Sequence, residues 1–423
     1  MPLSRKQPAI TLSITMNFVS ARFLVLYFTT LLLSAAEWPQ WRGPERDDIS
    51  REIGLLQRWP AGGPPLVWKA EKLGAGFSGV AVAGGKIFTA GDGADSSFVH
   101  ALDLNGKPVW AAKLGKPGER GGFVGPRSTP TVDGSEVFML GQHGDLVCYE
   151  AANGKQIWRK NLATDFNGRV GGWGYSESVL VDDGHVICTP GGPKGTMMAL
   201  DRKTGALVWR TADWTDAAEY VSPVLATISG VKQYVQMTGK SVAGISKDGT
   251  LLWRTERKGS TAVIPTPLVK DDMVYVTSGY GIGCNLFQVI QVGGAFEARQ
   301  VYANKVMANH HGGVIQLVDF AYGYSDGKGW TCQNLKTGEP AWTSNKLGKG
   351  SLTCADGHFY LRKEDGKGTI VLIEATPTGY RETGRFDQPE RSGQNSWPHP
   401  VIAAGKLYIR DQQLLLCYDI TAK

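Results

Sequence analysis

Short apolar runs, each broken by a glycine-containing turn, recur along most of the chain. The clearest copy runs from Ala199 to Trp209, ALDRKTGALVW, and predicts a strand, a tight turn and a second strand. Similar segments occupy residues 101–110, 148–158, 244–253 and 332–342. A glycine stands four residues before a tryptophan in every copy, at Gly106/Trp110, Gly154/Trp158, Gly205/Trp209, Gly249/Trp253 and Gly338/Trp342. One offset repeated in this way indicates a repeat protein.

The residue types in this unit predict packing rather than chemistry. Glycine supplies the positive φ that a tight hairpin turn requires. The tryptophan is a large flat side chain suited to packing between two neighbouring sheets. A small residue opens each copy, and we expect it to occupy a crowded inward position. The tryptophans predicted to dock one sheet onto the next are Trp68, Trp110, Trp158, Trp209, Trp253 and Trp342.

The spacing of the strand-ending aromatics predicts a β-propeller. With the weaker matches Tyr302 and Phe386 included, these aromatics lie 40–51 residues apart, which is the length of a four-stranded blade. Leu66–Trp68 has no hairpin partner before it, and the last repeat, which ends near Tyr418, has no closing tryptophan. Together they complete one blade and close the ring without a free edge. We therefore predict an all-β fold with eight blades, and a seven-bladed ring with one degenerate repeat is the alternative.

Composition fits this architecture. The 423 residues include 55 Gly and 13 Trp, and only 20% are charged, which suits many short strands joined by tight turns. The net charge of +6 is spread along the chain without a basic stripe, so nucleic acid is not an expected partner. We predict one propeller domain at residues 66–423, preceded by a lead-in at residues 37–65 that packs on it.

The first 36 residues predict an export signal. Arg5, Lys6 and Arg22 precede an apolar run from Phe23 to Leu33, and Ser34-Ala35-Ala36 supplies a small-residue cleavage site. The run is too short to span a bilayer. We expect cleavage between Ala36 and Glu37 and a soluble mature chain in the periplasm or outside the cell, with no transmembrane span. Met16 is an alternative start, and no cysteine for a lipid anchor follows the apolar run.

Six cysteines in an exported chain suggest disulfides, but three of them argue otherwise. Cys148, Cys332 and Cys417 occupy the small position that opens the repeat, where Ala101 and Ala199 stand in other copies. Cysteine in that position is a small buried apolar residue. The other three have no metal or redox spacing. We expect mostly free, buried thiols.

The motif Ala-x-Asp-x-x-Thr-Gly-x-x-x-Trp at residues 199–209, with partial copies at 101–110 and 332–342, resembles the repeats of pyrroloquinoline-quinone (PQQ)-type propellers. The resemblance covers residues 38–420. It implies either a quinoprotein alcohol dehydrogenase that holds PQQ and calcium, or a noncatalytic scaffold similar to the outer-membrane assembly factor BamB. The dehydrogenases carry a pair of adjacent cysteines over the quinone, and this sequence has no such pair. They also carry large insertions between blades, whereas the blades of this sequence are close to minimal in length.

Candidate ligand-binding residues follow from the fold. Loops that enter the innermost strands of a propeller converge on the mouth of the central channel. The candidates in these loops are Arg127, Trp173, Tyr175, Glu177, His310, His311, Asn395 and Trp397. Arg127 and Glu177 could instead pair across the channel. His310 and His311 are adjacent on a segment expected to be extended, so at most one should face the channel.

No residue of this sequence is assigned a catalytic role, and no metal-ligand spacing is present. The first functional hypothesis is a noncatalytic binding or scaffold protein, a monomer that holds a periplasmic or extracellular protein, or a small molecule, at the channel mouth. The second is a PQQ- and calcium-dependent dehydrogenase that oxidises an alcohol or sugar.

Overall fold

Residues 37–422 are described in the computed structural model, and the predicted signal peptide lies outside them. The described residues form eight four-stranded sheets arranged as blades, numbered here along the chain. The strands are, for blade 1, Ala81–Ala83, Lys86–Asp92, Ser97–Asp103 and Pro108–Gly115; for blade 2, Thr131–Asp133, Glu136–Leu140, Asp145–Glu150 and Gln156–Asn161; for blade 3, Leu180–Asp182, His185–Cys188, Met198–Asp201 and Leu207–Arg210; and for blade 4, Val224–Ile228, Val231–Met237, Ser241–Ser246 and Leu251–Glu256.

The second half of the ring repeats the arrangement. Its strands are, for blade 5, Leu268–Lys270, Met273–Ser278, Gly283–Val292 and Ala295–Asn304; for blade 6, Val314–Leu317, Phe320–Ser325, Gly329–Asn334 and Pro340–Ser344; for blade 7, Gly350–Ala355, His358–Lys363, Ile370–Glu374 and Glu382–Phe386; and for blade 8, Val401–Ala403, Lys406–Asp411, Leu414–Asp419 and Leu66–Ala70. Ile49–Ser50 adds a short parallel strand to blade 7, and Glu119–Arg120 pairs with Phe123–Val124 in a small separate hairpin. Residues 37–422 include no helix that could cross a membrane.

Eight blades are therefore present, and the seven-bladed alternative is wrong. The first strands of neighbouring blades contact one another around much of the ring and surround the central channel. Blade 8 joins the two ends of the domain, because Leu66–Ala70 pairs antiparallel with Leu414–Asp419. This pairing gives the last repeat the outer strand that its sequence lacks.

The tryptophans dock blades onto one another through contacts that the repeat explains. Each lies on an outer strand, directly opposite the small residue that opens its repeat, as Trp110 lies opposite Ala101. Its indole N–H donates to a carbonyl in the next blade: Trp68 to Leu104 (2.9 Å), Trp110 to Ala151 (3.1 Å), Trp158 to Arg202 (2.8 Å), Trp209 to Lys247 (2.8 Å) and Trp342 to Thr376 (3.0 Å). The rings of Trp68, Trp110, Trp158 and Trp209 also cover a turn glycine of the next blade. A Cβ on Gly205 would lie 2.8 Å from the Trp158 ring.

Two positions depart from this pattern. Trp253 donates its N–H to the Gln233 side chain of its own blade, at 2.5 Å, although its ring still packs between blades 4 and 5. In blade 7 the register places Gly384, not Phe386, at the docking position. Trp59 of the lead-in lies against Gly384 and fills the space that a tryptophan of the blade would occupy.

All six cysteines are free and buried, as expected from their positions. Cys148, Cys332 and Cys417 lie directly opposite Trp158, Trp342 and Trp68. Burial raises the pKa of the Cys148 and Cys417 thiols to about 12, so both remain protonated and apolar.

The lead-in enters the central channel. We call residues 38–50 the plug, because they contact the inner strand of every blade or the loop that enters it. In blades 1 to 4, the backbone N–H of Trp38 donates to Val82 O (2.8 Å), the backbone N–H of Val132 donates to Pro39 O (2.8 Å), and the Arg46 guanidinium donates to Ser178 O (3.1 Å) and Pro223 O (2.8 Å). In blades 5 to 8, the indole N–H of Trp41 donates to Thr266 Oγ1 (3.0 Å), the Arg42 guanidinium donates to Val314 O (2.6 Å), the backbone N–H of Cys354 donates to Asp48 O (2.8 Å), and the Asp48 carboxylate lies 3.0 Å from His399. The plug thus ties all eight blades together from inside.

Candidate functional site

A cavity of about 170 Å³ lies at the channel mouth, and we call it the mouth cavity. Its walls come mainly from the loops that enter the inner strands, as the propeller geometry predicts. The lining residues are Trp41, Phe77, Phe123, Arg127, Trp173, Ser176, Ser178, Tyr220, Ser222, Ala262, Ile264, Tyr280, His310, His311, Trp397 and Pro398. Of the eight candidates from the sequence, the structure brings together Arg127, Trp173, His310, His311 and Trp397.

Trp41 of the plug belongs to the lining, and the network around it is held rigidly. Its ring lies 4.5 Å from the ring of His399, centroid to centroid. Asp48 lies 3.0 Å from Nδ1 of His399 and 2.7 Å from Nε of Arg42, and both the Arg42 and Asp48 side chains are fully buried. This buried charge pair anchors the plug beside the cavity.

A continuous row of rings forms one wall. Phe77 stacks on Trp397 with centroids 4.2 Å apart and planes 20° apart, and Phe123 meets Trp397 edge-on at 4.8 Å. Trp397 in turn lies 5.2 Å from His311. These contacts fix the rings before any ligand arrives, which lowers the entropic cost of binding.

The facing wall is built from Trp173 and Tyr220, which meet edge-on at 5.9 Å. Two glycines allow this approach. A Cβ on Gly171 would lie 2.0 Å from the Tyr220 hydroxyl oxygen, and one on Gly121 would lie 2.6 Å from the Trp173 ring. Gly121 and Gly171 therefore leave the space that these two rings occupy, whereas a Cβ on Gly122 or Gly172 would meet nothing within 4 Å.

Arg127 lines the cavity and also organises the hairpin beside it. Its guanidinium donates to the carbonyl oxygens of Gly125 (3.0 Å), Arg120 (2.9 Å) and Phe123 (2.9 Å). Burial lowers the pKa of Arg127 to about 10, so it stays charged at neutral pH. The alternative in which Arg127 pairs with Glu177 is wrong, because Glu177 faces Thr189 instead.

Both histidines of the pair line the cavity, so the expectation that at most one would face it is wrong. The segment is not an extended strand here, because the chain bends at His311–Gly312, and the two rings lie 4.5 Å apart. Nδ1 of His310 lies 2.8 Å from the Lys349 ammonium, which is 2.8 Å from Asp326. Burial lowers the pKa of His310 to about 2, so the neutral ring accepts this hydrogen bond.

His311 has a different partner. Its Nε2 lies 2.9 Å from Oε2 of Glu364, and burial lowers its pKa while Glu364 opposes that shift. The two histidines therefore present neutral rings to the cavity at neutral pH, each with a charged group behind it.

The remaining candidates lie elsewhere. Tyr175 is buried and donates its hydroxyl to Pro190 O at 3.0 Å. Glu177 is buried and accepts the Thr189 N–H at 2.6 Å, and burial raises its pKa to about 7. Asn395 is exposed, and its carbonyl accepts from Gln412. None of the three is among the cavity-lining residues.

Sequence reasoning missed Trp41, Phe77, Phe123, Tyr220 and Tyr280. Trp41, Phe77 and Tyr220 lie on loops or on the lead-in, and Phe123 lies in the small separate hairpin. The repeat pattern gives no signal there beyond an isolated aromatic. Tyr280 comes from a turn inside blade 5, has φ of 56° and meets the His310 ring edge-on at 4.8 Å. A bulky residue at positive φ is uncommon, and in a sequence nothing distinguishes it from an ordinary loop tyrosine.

The lining does not fit a calcium-bound quinone. Calcium requires six to eight oxygen ligands, normally including carboxylates, and no Asp or Glu lines the cavity. The carboxylates behind the wall, Asp326 and Glu364, are engaged by Lys349 and His311. Across residues 37–422, no group of three or more His, Cys, Asp and Glu could hold a metal ion. No two cysteines are adjacent either.

Eight blades with tryptophan docking define a propeller of the PQQ-like class. A family model described as outer membrane protein assembly factor BamB matches residues 94–344, and the chain belongs to this family.

Two curated relatives carry the same description. An outer membrane protein assembly factor BamB from Kangiella koreensis is 27% identical over 231 residues, which cover 52% of this chain and 50% of that protein. The BamB from Moranella endobia is 25% identical over 198 residues and 46% of each chain. The chain spans about half the length of the curated relatives it matches.

Solved structures share the fold at lower identity. BamB from Moraxella catarrhalis superposes with a TM-score of 0.60 at 16% identity, covering 85% of this chain and 98% of that one. The quinohemoprotein alcohol dehydrogenase from Comamonas testosteroni gives 0.63 at 12% identity, covering 92% and 81%. A BamB and an alcohol dehydrogenase thus match about equally well, and the fold does not separate the two kinds of protein.

Proposed function

We propose that this chain is a noncatalytic binding protein of the cell envelope that holds a partner or ligand in the mouth cavity. The observation that carries the proposal is the lining of that cavity. Its walls are mainly aromatic, and no carboxylate lines it. Such a lining favours the capture of an apolar or ring-shaped group over redox chemistry at a hard cation.

The aromatic rings supply the binding energy in this proposal. Buried Trp, Tyr and Phe clusters dominate many binding sites, because they offer large contact area at low conformational cost. Tyr280, which is 46% exposed, stands on the rim where an approaching partner would meet it first.

Family membership favours a role in the envelope. The relatives are described as outer membrane protein assembly factors, and we infer that this chain, after removal of its export signal, works as a monomeric scaffold in the periplasm or outside the cell. The partner would be a protein of that compartment. The dehydrogenase hypothesis finds support only in the fold, since the lining offers no ligand set for calcium.

Site-specific photocross-linking tests this proposal. A benzoylphenylalanine in place of Tyr280 should give a discrete cross-linked product in cells, and Trp397→Ala should abolish it. The matched control is the same probe at Val208, a 47% exposed residue on the outer strand of blade 3. Equal products from both positions, or a Tyr280 product unaffected by Trp397→Ala, would contradict the proposal.

A further inference from the structure

Arg127 is the charged residue in the lining of the mouth cavity, and no carboxylate pairs with it in the part of the chain that the structure describes. The other lining residues are aromatic, aliphatic, serine, proline or neutral histidine. Within residues 37–422 the Arg127 guanidinium makes hydrogen bonds only to three backbone carbonyls and forms no salt bridge. Asp92 attracts the Arg127 charge only at longer range, since its carboxylate already accepts from Ser97, Gly118 and Gln142, and the cation Arg120 acts in the opposite direction. A cation without a paired carboxylate in a mainly aromatic cavity favours an anion.

Arg127 also retains donors for a ligand. A guanidinium carries five N–H groups. Three hydrogen bonds go to Gly125, Arg120 and Phe123, two from Nη2 and one from Nη1. Nε–H and the second hydrogen of Nη1 are left over. A carboxylate could accept from one of these donors with a charge-assisted bond, which is stronger than a neutral one.

The nearby ammonium group does not compete for this anion. Lys349 lies behind His310 and is neutralised by Asp326 at 2.8 Å. Glu364 is engaged by His311. The positive charge available to a ligand is therefore localised on the Arg127 side of the cavity.

Size and wall chemistry define the rest of the ligand. A cavity of about 170 Å³ is comparable with the ~150 Å³ that holds one benzene ring in an engineered apolar cavity. A sugar ring would leave hydroxyls unpaired against these walls. Only three serines line the cavity, too few for a ring that carries a hydroxyl on most carbons. Ser178 and Ser222 each already accept one backbone N–H, from Thr129 (2.8 Å) and Ser178 (2.9 Å), and the Ser176 hydroxyl lies 3.5 Å from Gly174 O.

We propose that the mouth cavity binds a single aromatic ring bearing a carboxylate, with the ring against Phe77, Trp397 and Trp173 and the carboxylate on Arg127. This inference rests on the proposed function and specifies the ligand class for the same site. It also predicts rejection of aromatic cations, because the uncompensated Arg127 charge would repel them.

Calorimetric titrations of the purified chain test the ligand class directly. Four probes separate the contributions: benzoate, its neutral isostere benzamide, the sugar acid galacturonate and the cation benzyltrimethylammonium. We expect benzoate to bind at least tenfold more tightly than benzamide. Galacturonate and the cation should give no measurable heat.

Variants then separate the charge of Arg127 from its role in holding the hairpin. Arg127→Gln should reduce the benzoate-to-benzamide ratio to near one. Arg210→Gln is the matched control, since Arg210 also donates to backbone carbonyls, those of Phe166, Gly191 and Gly195, but does not line the cavity. It should leave the ratio unchanged.

The outcomes distinguish this inference from the proposed function. Equal binding of benzoate and benzamide would overturn the carboxylate assignment and leave a ring-binding site intact. Tighter binding of galacturonate would overturn the aromatic assignment. Failure of every probe, together with a positive cross-link at Tyr280, would refute the small-ring inference while the binding proposal stands.

Discussion

Two constraints favour glycine at the turn of a docking motif: a positive φ, and a tryptophan ring in the space that a Cβ would occupy. Gly205 has φ of 69°, where an L side chain is strained, and its missing Cβ leaves room for the Trp158 ring at 2.8 Å. Gly184, in another turn of the same blade, has φ of 79° and nothing within 4 Å of the missing Cβ. Comparing Gly184 with Gly205 therefore separates the cost of backbone strain from the cost of a clash with the docked ring.

Alanine substitutions at these two glycines should therefore differ. Gly184→Ala should cost about 1 kcal/mol of the free energy of unfolding, from the left-handed conformation alone. Gly205→Ala should cost roughly 1–3 kcal/mol more, because the docked tryptophan must move. Equilibrium denaturation in urea measures both, and equal losses would show that the docking contact contributes nothing.

Glu177 should make stability depend on pH. Burial raises its pKa to about 7 from 4.5, so between these pH values the folded state binds more protons than the unfolded state. This site therefore stabilises the fold at low pH, and its contribution declines as pH rises through 7.

Glu177→Gln should remove that decline and stabilise the protein at pH 8 by about 1–3 kcal/mol relative to wild type. Denaturation curves at pH 5 and pH 8 measure the difference. Burial also raises the pKa of Glu219 to about 7, but Glu219 is present in both proteins, so its effect on the pH dependence cancels in the comparison. A variant with an unchanged pH slope would contradict the assignment.

The sequence predicted the surroundings of a residue correctly where the same position recurs in several repeats. Cys148 and Ala199 could be assigned to one buried position because several repeats share it. Trp253 could not be anticipated, because its N–H partner depends on blade 5, which lacks the docking turn, and on Gln233 in its own blade. Arg127 was predicted near the channel, but its carbonyl partners lie on a hairpin with no repeat signature.

Among the elements, the plug shows how one short segment can organise a large ring. Arg46 is buried and donates to the carbonyls of Ser178, Val179 and Pro223, which lead into blades 3 and 4. The lead-in was expected to pack on the propeller. Its insertion into the channel was not predictable, because the partners of Arg46 lie 132–177 residues away and show no pattern in common with it.

Removing the Arg46 guanidinium should therefore destabilise the whole domain. Arg46→Met leaves the buried carbonyls of Ser178 and Pro223 without a donor, whereas Val179 O keeps its bond from Thr131 Oγ1, and the substitution should cost about 3 kcal/mol or more of unfolding free energy. Arg51→Met is the control, since Arg51 is 61% exposed and pairs only with Asp47, and should change stability by less than about 0.5 kcal/mol. Similar losses in both variants would mean that the plug is not a structural element.

For the whole molecule, ring closure depends on the pairing of two distant segments. Leu66–Ala70 completes blade 8 against Leu414–Asp419, as the orphan strand in the sequence predicted. The eight-blade count was accessible because each blade has one strand-ending aromatic or an adjacent substitute. Phe386 was such a substitute, and only the register showed that Gly384 and Trp59 occupy the docking site.

Native-state hydrogen exchange should show whether the strand that closes the ring is as stable as the other outer strands. Amides of Leu66–Ala70 should be protected to the same degree as those of Leu207–Arg210, the outer strand of blade 3, which is formed by consecutive chain. Mass spectrometry of the exchanged peptides measures both. Exchange many-fold faster at residues 66–70 would show that blade 8 opens independently of the ring.

A calorimetric titration of the purified chain with PQQ, with and without calcium, tests whether the mouth cavity binds its ligand without quinone chemistry. Because no carboxylate lines the cavity, we predict that calcium leaves the measured heat unchanged. Tight PQQ binding that requires calcium would contradict the claim, and a screen of alcohols and sugars with a dye acceptor would then be the next experiment.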